Sequence, residues 1–158
     1  MSIAAHFTGN LQLSNKLKRL AKPSVARRIA RKAGRESMKL VRDAAKQNAK
    51  SIDDPATREK IWRNITIQTA KSSQNEVKIR VGIRGGAKGF AAASGEIQGA
   101  GKDNPGGATF YWRFLEFGTS EMAAKPFMRP ALTSNTGAVT TKFAEVFSPE
   151  LDKELAKL

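Results

Sequence analysis

Side chains able to do acid–base, nucleophilic or metal chemistry are few and scattered in this sequence. His6 is the only histidine and there is no cysteine. No disulfide or thiolate metal site can form, and a Ser-His-Asp arrangement would have to recruit a residue beside the N-terminus. Asp53-Asp54 stands directly before Pro55 and reads as a turn rather than a cation site. Glu116 sits among aromatic residues. Burial there could raise its pKa towards that of a general acid, but the stronger reading is an acceptor for backbone amides or for Arg129. The stretch Gly82-Ile83-Arg84-Gly85-Gly86-Ala87-Lys88-Gly89 falls short of a phosphate-binding loop. Ala precedes the lysine, Gly follows it, and no helix start comes next to supply aligned amides. Asn64-Ile65-Thr66 fits the glycosylation pattern but carries no weight without a secretory signal. No catalytic residue, metal or cofactor is expected, and the chain reads as a non-enzyme.

Charge is the stronger signal. The 158 residues carry a net charge of +14, and residues 1–50 hold thirteen Lys/Arg against two acidic side chains. From Pro126 onward the two signs balance. Such concentration implies an acidic partner, either nucleic acid or an acidic protein surface. The candidate surface is one face of a long helix, read from about Val25 to Lys50 with Ser24 as its cap. Arg28, Lys32, Arg35, Lys39, Arg42, Lys46 and Lys50 step by three or four along it. Val25, Ile29, Ala33, Ser37, Leu40, Val41 and Ala44 fall on the other side. Within the helix only Glu36 and Asp43 can pair with these cations, so the face is either a solvated surface or a docking surface.

The remaining elements follow from periodicity. A short amphipathic segment from about Asn10 to Leu20, with Leu11, Leu17 and Leu20 as its apolar positions, precedes the long helix. A short helical piece is expected between Ala56 and Trp62. Ile65, Ile67 and Thr69, then Val77, Ile79, Val81 and Ile83, alternate with polar residues and predict an antiparallel hairpin with one face on the helix and one face wet. Residues 85–107 contain eight glycines and predict a flexible loop that orders on assembly, with Gly85, Gly86, Lys88, Gly89, Phe90, Lys102, Gly106 and Gly107 as candidate contacts. Phe110 to Phe117 is apolar on both faces, so strand and helix both remain open, with a slight preference for a strand. Pro126 starts a helix reaching about Phe147, weakened at Thr136-Gly137, with Val139, Phe143, Val146 and Phe147 as its apolar stripe. Ser148-Pro149-Glu150 starts a last one. The expected fold is a single α+β domain over residues 1–158, with a long N-terminal amphipathic helix packed on a small antiparallel sheet, a C-terminal helix and the Gly-rich loop. No apolar run is long enough to cross a bilayer, and no signal peptide is evident.

Two linked motifs narrow this further. Tyr111 is followed by Glu116-Phe117-Gly118-Thr119, and after a short interval by Pro126-Phe127-Met128-Arg129-Pro130-Ala131. On these residues, and on a Phe7-Thr8-Gly9 start followed by a short Leu-rich helix, a long helix and a hairpin, the chain resembles the siphophage tail-component family, to which head–tail joining and tail-completion proteins belong. The resemblance implies a small α+β subunit of a ring, usually a hexamer, on the head-proximal end of the tail. Its partners would be copies of itself, the head–tail connector, and tail tube or terminator proteins, with possible contact to passing DNA and none to membrane. It also implies a place in the virion tail or neck after synthesis in the host cytoplasm. Independently of the resemblance, the same residues read as an architectural corner in which Gly118 turns, Pro126 and Pro130 fix the start of the last helix, and Arg129 meets Glu116. The competing readings are a tail terminator or other minor tail protein, a free basic nucleic-acid-binding protein, which explains the charge but not the aromatic–proline motifs, and a small hydrolase, which lacks the catalytic groups.

Overall fold

The computed structural model describes residues 23–53, 60–71, 76–84 and 105–157. The expected Asn10–Leu20 segment, His6, the start of the 56–62 helical piece, the link at residues 72–75 and most of the Gly-rich stretch lie outside the described residues. The architecture is α+β: helix α1 (Pro23–Ile52), a single turn α2 (Ile61–Asn64), strands β1 (Ile65–Thr69) and β2 (Ile79–Ile83), then α3 (Trp112–Phe117), α4 (Met128–Thr133) and α5 (Thr136–Leu155).

Helix α1 organises everything else. Pro23 opens it, where its missing N–H costs nothing, so Ser24 lies inside the first turn instead of capping it. Its buried residues are Ile29, Ala33, Gly34, Ser37, Val41, Ala45 and Ala49. A four-residue step overshoots a 3.6-residue turn by about 40°, so this stripe winds around the helix, and successive stretches of α1 meet different neighbours. Leu40 shows the effect. It is on the side of Ile29 and Ala33, but at its level the packed side has moved on to Ser37 and Val41, and Leu40 is exposed.

Strands β1 and β2 pair antiparallel, Ile65 opposite Ile83, Ile67 opposite Val81 and Thr69 opposite Ile79. These six share one face, because directly opposed residues in a pleated pair point the same way. Ile65 is buried in the main core, and Val81 and Ile83 pack against that core. The Arg35 guanidinium donates to Thr69 Oγ1 at 3.4 Å across the same face. On the other face Arg80 donates to Gln68 at 3.2 Å and is exposed. Gly34 is where β2 comes closest to the helix: a Cβ there would lie 3.0 Å from Ile79 Cγ1.

Two expectations are corrected. Residues 112–117 form a helix, not a strand. A strand would have needed both apolar faces covered, whereas Phe114 and Phe117 are exposed and only Glu116 of this element is buried. At the C-terminus the chain breaks at Ser134-Asn135, where Asn135 Nδ2 donates back to the Ala131 carbonyl at 2.8 Å. From Thr136 a single helix then runs through Ser148 and Pro149 to Leu155. Pro149 removes one helical hydrogen bond, and Glu150 and Glu154 beyond it hold that end to α1 by ion pairs.

Candidate functional site

The aromatic–proline corner is built on the Glu116 carboxylate. Glu116 is 1% exposed. Its Oε2 accepts the backbone N–H of Phe127 at 2.8 Å and of Met128 at 2.9 Å. Its Oε1 accepts the Arg129 N–H at 3.0 Å and Arg129 Nε at 3.2 Å, while Arg129 Nη2 donates to the Glu116 carbonyl at 2.6 Å. The amides are the unpaired donors that precede and open α4, so α3 supplies from a distance the cap that α4 lacks locally. Burial by itself would push this carboxyl up. The amides of Met128, Phe127 and Arg129 and the guanidinium outweigh it and hold the pKa below the usual glutamate value. A general acid needs a raised pKa and a free proton site, and this carboxylate has neither.

The rest of the motif fits around that centre. Gly118 ends α3 with φ +77°, and a Cβ there would come within 3.0 Å of the Met122 carbonyl and the Ala124 nitrogen. Thr119 Oγ1 accepts the N–H groups of Glu121 and Met122, and Lys125 N–H returns to the Leu115 carbonyl at 2.7 Å, closing the turn. Phe127 and Ala131 are buried in the core, Tyr111 packs against it, Pro130 is half-buried and Pro126 is exposed. Asn48 of α1 donates to the Phe127 carbonyl at 3.1 Å, tying the corner to the long helix. Phe117 stays 64% exposed with the Arg129 guanidinium over its ring at 5.1 Å.

A second polar centre, Asn64, is not signalled by its residue type. It is fully buried at the end of α2. Gly106 N–H donates to its Oδ1 at 2.7 Å, and its Nδ2 donates to the Gly107 carbonyl at 3.0 Å and to Thr109 Oγ1 at 2.7 Å. Its own carbonyl accepts Arg84 N–H at 2.9 Å. Gly106 and Gly107, expected as assembly-loop residues, are thus buried and bonded, with Lys60 N–H donating to the Gly106 carbonyl at 2.7 Å. A Cβ on Gly106 would sit 2.1 Å from the Lys60 carbonyl oxygen. Gly85, Gly86, Lys88, Gly89, Phe90 and Lys102 lie outside the described residues. The only hint in the sequence is Gly-Gly itself, which permits both the close approach at Gly106 and the φ of +78° at Gly107.

The basic face of α1 divides into two parts. Arg28 pairs with Glu154 and Lys32 with Glu150, each at 2.8 Å, so the acidic partners of its N-terminal half come from α5. The side-chain bonds from Lys32 and Lys153 hold the Glu150 carboxyl down, and those from Lys157 and Arg28 do the same at Glu154. Lys39 pairs with Glu36 at 2.6 Å and Arg42 with Asp43 at 2.8 Å within the helix. Towards the C-terminal end Lys46 is half-buried, and Lys50 Nζ lies over the Trp62 ring at 4.9 Å, with the Arg63 guanidinium at 5.3 Å from the same ring.

Among the described residues no group of His, Asp and Glu side chains could hold a metal ion, and no helix is long and apolar enough to cross a membrane. In comparison with known proteins, residues 12–118 match the HK97-gp10-like family of bacteriophage tail components. The match takes in the Leu-rich segment, α1, the hairpin and α3. It ends at Gly118, before the proline motif and α5. Neither the curated proteins nor the solved structures contain a match.

Proposed function

Because the chain belongs to the HK97-gp10-like family of bacteriophage tail components, we propose that it is a structural subunit of a ring at the head-proximal end of the tail, completing the tail and joining it to the head. The observation that carries this reading is the sheet. It has two strands only, and among the described residues neither outer edge is paired. A lone hairpin is marginal in water, and an open edge is a template for another chain. A ring of identical subunits gives each edge a partner by symmetry. Exposed Phe114, Phe117 and Leu132 add apolar contact area beside the corner. On this reading the subunits form a hexamer, the ring seats against connector and tube or terminator proteins, and the C-terminal half of the α1 basic face meets an acidic ring or the DNA path.

The test is electron microscopy of particles assembled without this protein. Intact heads beside finished but unattached tails are expected. Overlong tails would instead make it a terminator, and normal infectious particles would remove it from the neck altogether.

A further inference from the structure

A cleft of about 670 Å³ opens between the first half of α1, β2 and α5. Helix α1 lines it with Ala26, Ala30 and Gly34, the strand side with Ile79, and α5 with Phe143 and Phe147, whose rings stack at 5.4 Å. Although α5 packs along α1, none of its residues is buried, so both rings remain partly open to solvent on the cleft side. Pro23, the first described residue, also lines the cleft. The chain that precedes it therefore begins at the cleft.

We propose that the cleft is the seat of residues 10–20 of the same chain, laid antiparallel to the first turns of α1. The sequence pattern suits it. Leu13, Leu17 and Leu20 recur at i, i+4 and i+7, a stripe about 60° wide on a helical wheel, while Leu11, Lys18 and Arg19 fall outside it. The lengths agree as well. Eleven helical residues span about 16 Å, and α1 from Pro23 to Met38 spans about 22 Å. Ala21-Lys22 is a connection short enough for a helical hairpin, and the residue before Pro23 is biased to extended backbone, which favours a reversal there. Small side chains on α1 let a second helix approach closely. The family match begins at residue 12, so the three leucines belong to the shared unit, whereas the Phe143 and Phe147 side of the cleft lies beyond the match.

The chain contains no cysteine, so an introduced pair reports without interference. In dilute full-length protein, L17C/A30C should oxidise to an intrachain disulfide, and L11C/A30C, on the wrong side of the segment, should not. A covalent dimer from the first pair would put a second copy in the cleft and overturn the proposal, as would the absence of any cross-link. A second measurement does not depend on a cysteine at Ala30. L17E/L20E should lower the thermal midpoint by about 5 °C and speed amide exchange around Phe143 and Phe147, while L11E leaves both unchanged. Equal behaviour of the two charged variants would also overturn it. Both assays use the isolated chain, so neither depends on the ring assignment.

Discussion

Replacing Glu116 by glutamine changes the corner by a single group, an NH₂ for one carboxylate oxygen. Each oxygen accepts two N–H donors, so whichever oxygen is lost, two donors face another donor. The cheaper orientation turns the NH₂ towards Arg129, whose side chain is 59% exposed and whose Nε can turn to water. The Arg129 backbone N–H is then left unpaired, costing about 1–3 kcal/mol. The two surviving bonds lose their charge assistance, about another 1 kcal/mol. E116Q should therefore destabilise the fold by about 2–4 kcal/mol, a large share of the roughly 5–15 kcal/mol available to a small domain. Urea unfolding of both chains at neutral pH measures this directly, and the thermal midpoint should fall by about 2–4 °C for each kcal/mol. The pH dependence gives an independent check. The folded pKa of Glu116 lies below its unfolded value. The wild-type advantage is therefore complete above the ordinary glutamate range and is lost as pH falls through the folded pKa. The two chains should differ by a constant amount between neutral pH and the onset of carboxylate titration, then converge in acid. An E116Q chain within about 0.5 kcal/mol of wild type at pH 7, or an advantage that grows on acidification, would refute the account of the corner.

Three further outcomes are expected. E116A and R129A should be non-additive in a double-mutant cycle on unfolding free energy, because each removes the other's partner; strict additivity would separate them. G106A should be strongly destabilising, its Cβ meeting the Lys60 carbonyl oxygen, whereas G137A, with nothing within 4 Å of its Cβ, should be neutral or raise stability by up to about 1 kcal/mol through helix propensity; thermal melts of the two variants measured together decide this. E150Q/E154Q should leave the core intact but accelerate amide exchange along α5, and high salt should do the same to the wild type, since the pairs to Lys32 and Arg28 that it removes are solvent-accessible.

The parts of the fold written in periodicity were legible. The four-residue stripe of α1 and the two-residue alternation around Ile67 and Val81 each have one dominant partner, and pattern follows packing. The Phe110–Phe117 block had no such asymmetry: its helical form depends on aiming Glu116 at amides eleven to thirteen positions away, which no local period records. Pro149 misled for the opposite reason. A local breaker rule was overridden by a helix that the acids on either side of it anchor to α1. Within the candidate site, a lone carboxylate near an arginine could be read as a pair from residue types. Asn64 could not, because its partners at Gly106, Gly107 and Thr109 lie more than forty positions away and an asparagine before a strand looks ordinary. The basic face was legible as a stripe, but its division was not, since the acids that neutralise its first half sit at the far end of the chain.

Asn64 also fixes where the chain departs and comes back. Arg84 leaves the hairpin bonded to its carbonyl, and Gly106 returns onto its side chain. The two ends of the excursion are thus fastened to one residue, and the body does not register how much polypeptide runs between them. Closing a longer excursion across a fixed gap costs only about 0.6 kcal/mol per doubling. This is therefore the position where related tails can differ in length without refolding the subunit, and where an epitope or fluorescent insert can be spliced to follow the protein in assembling particles.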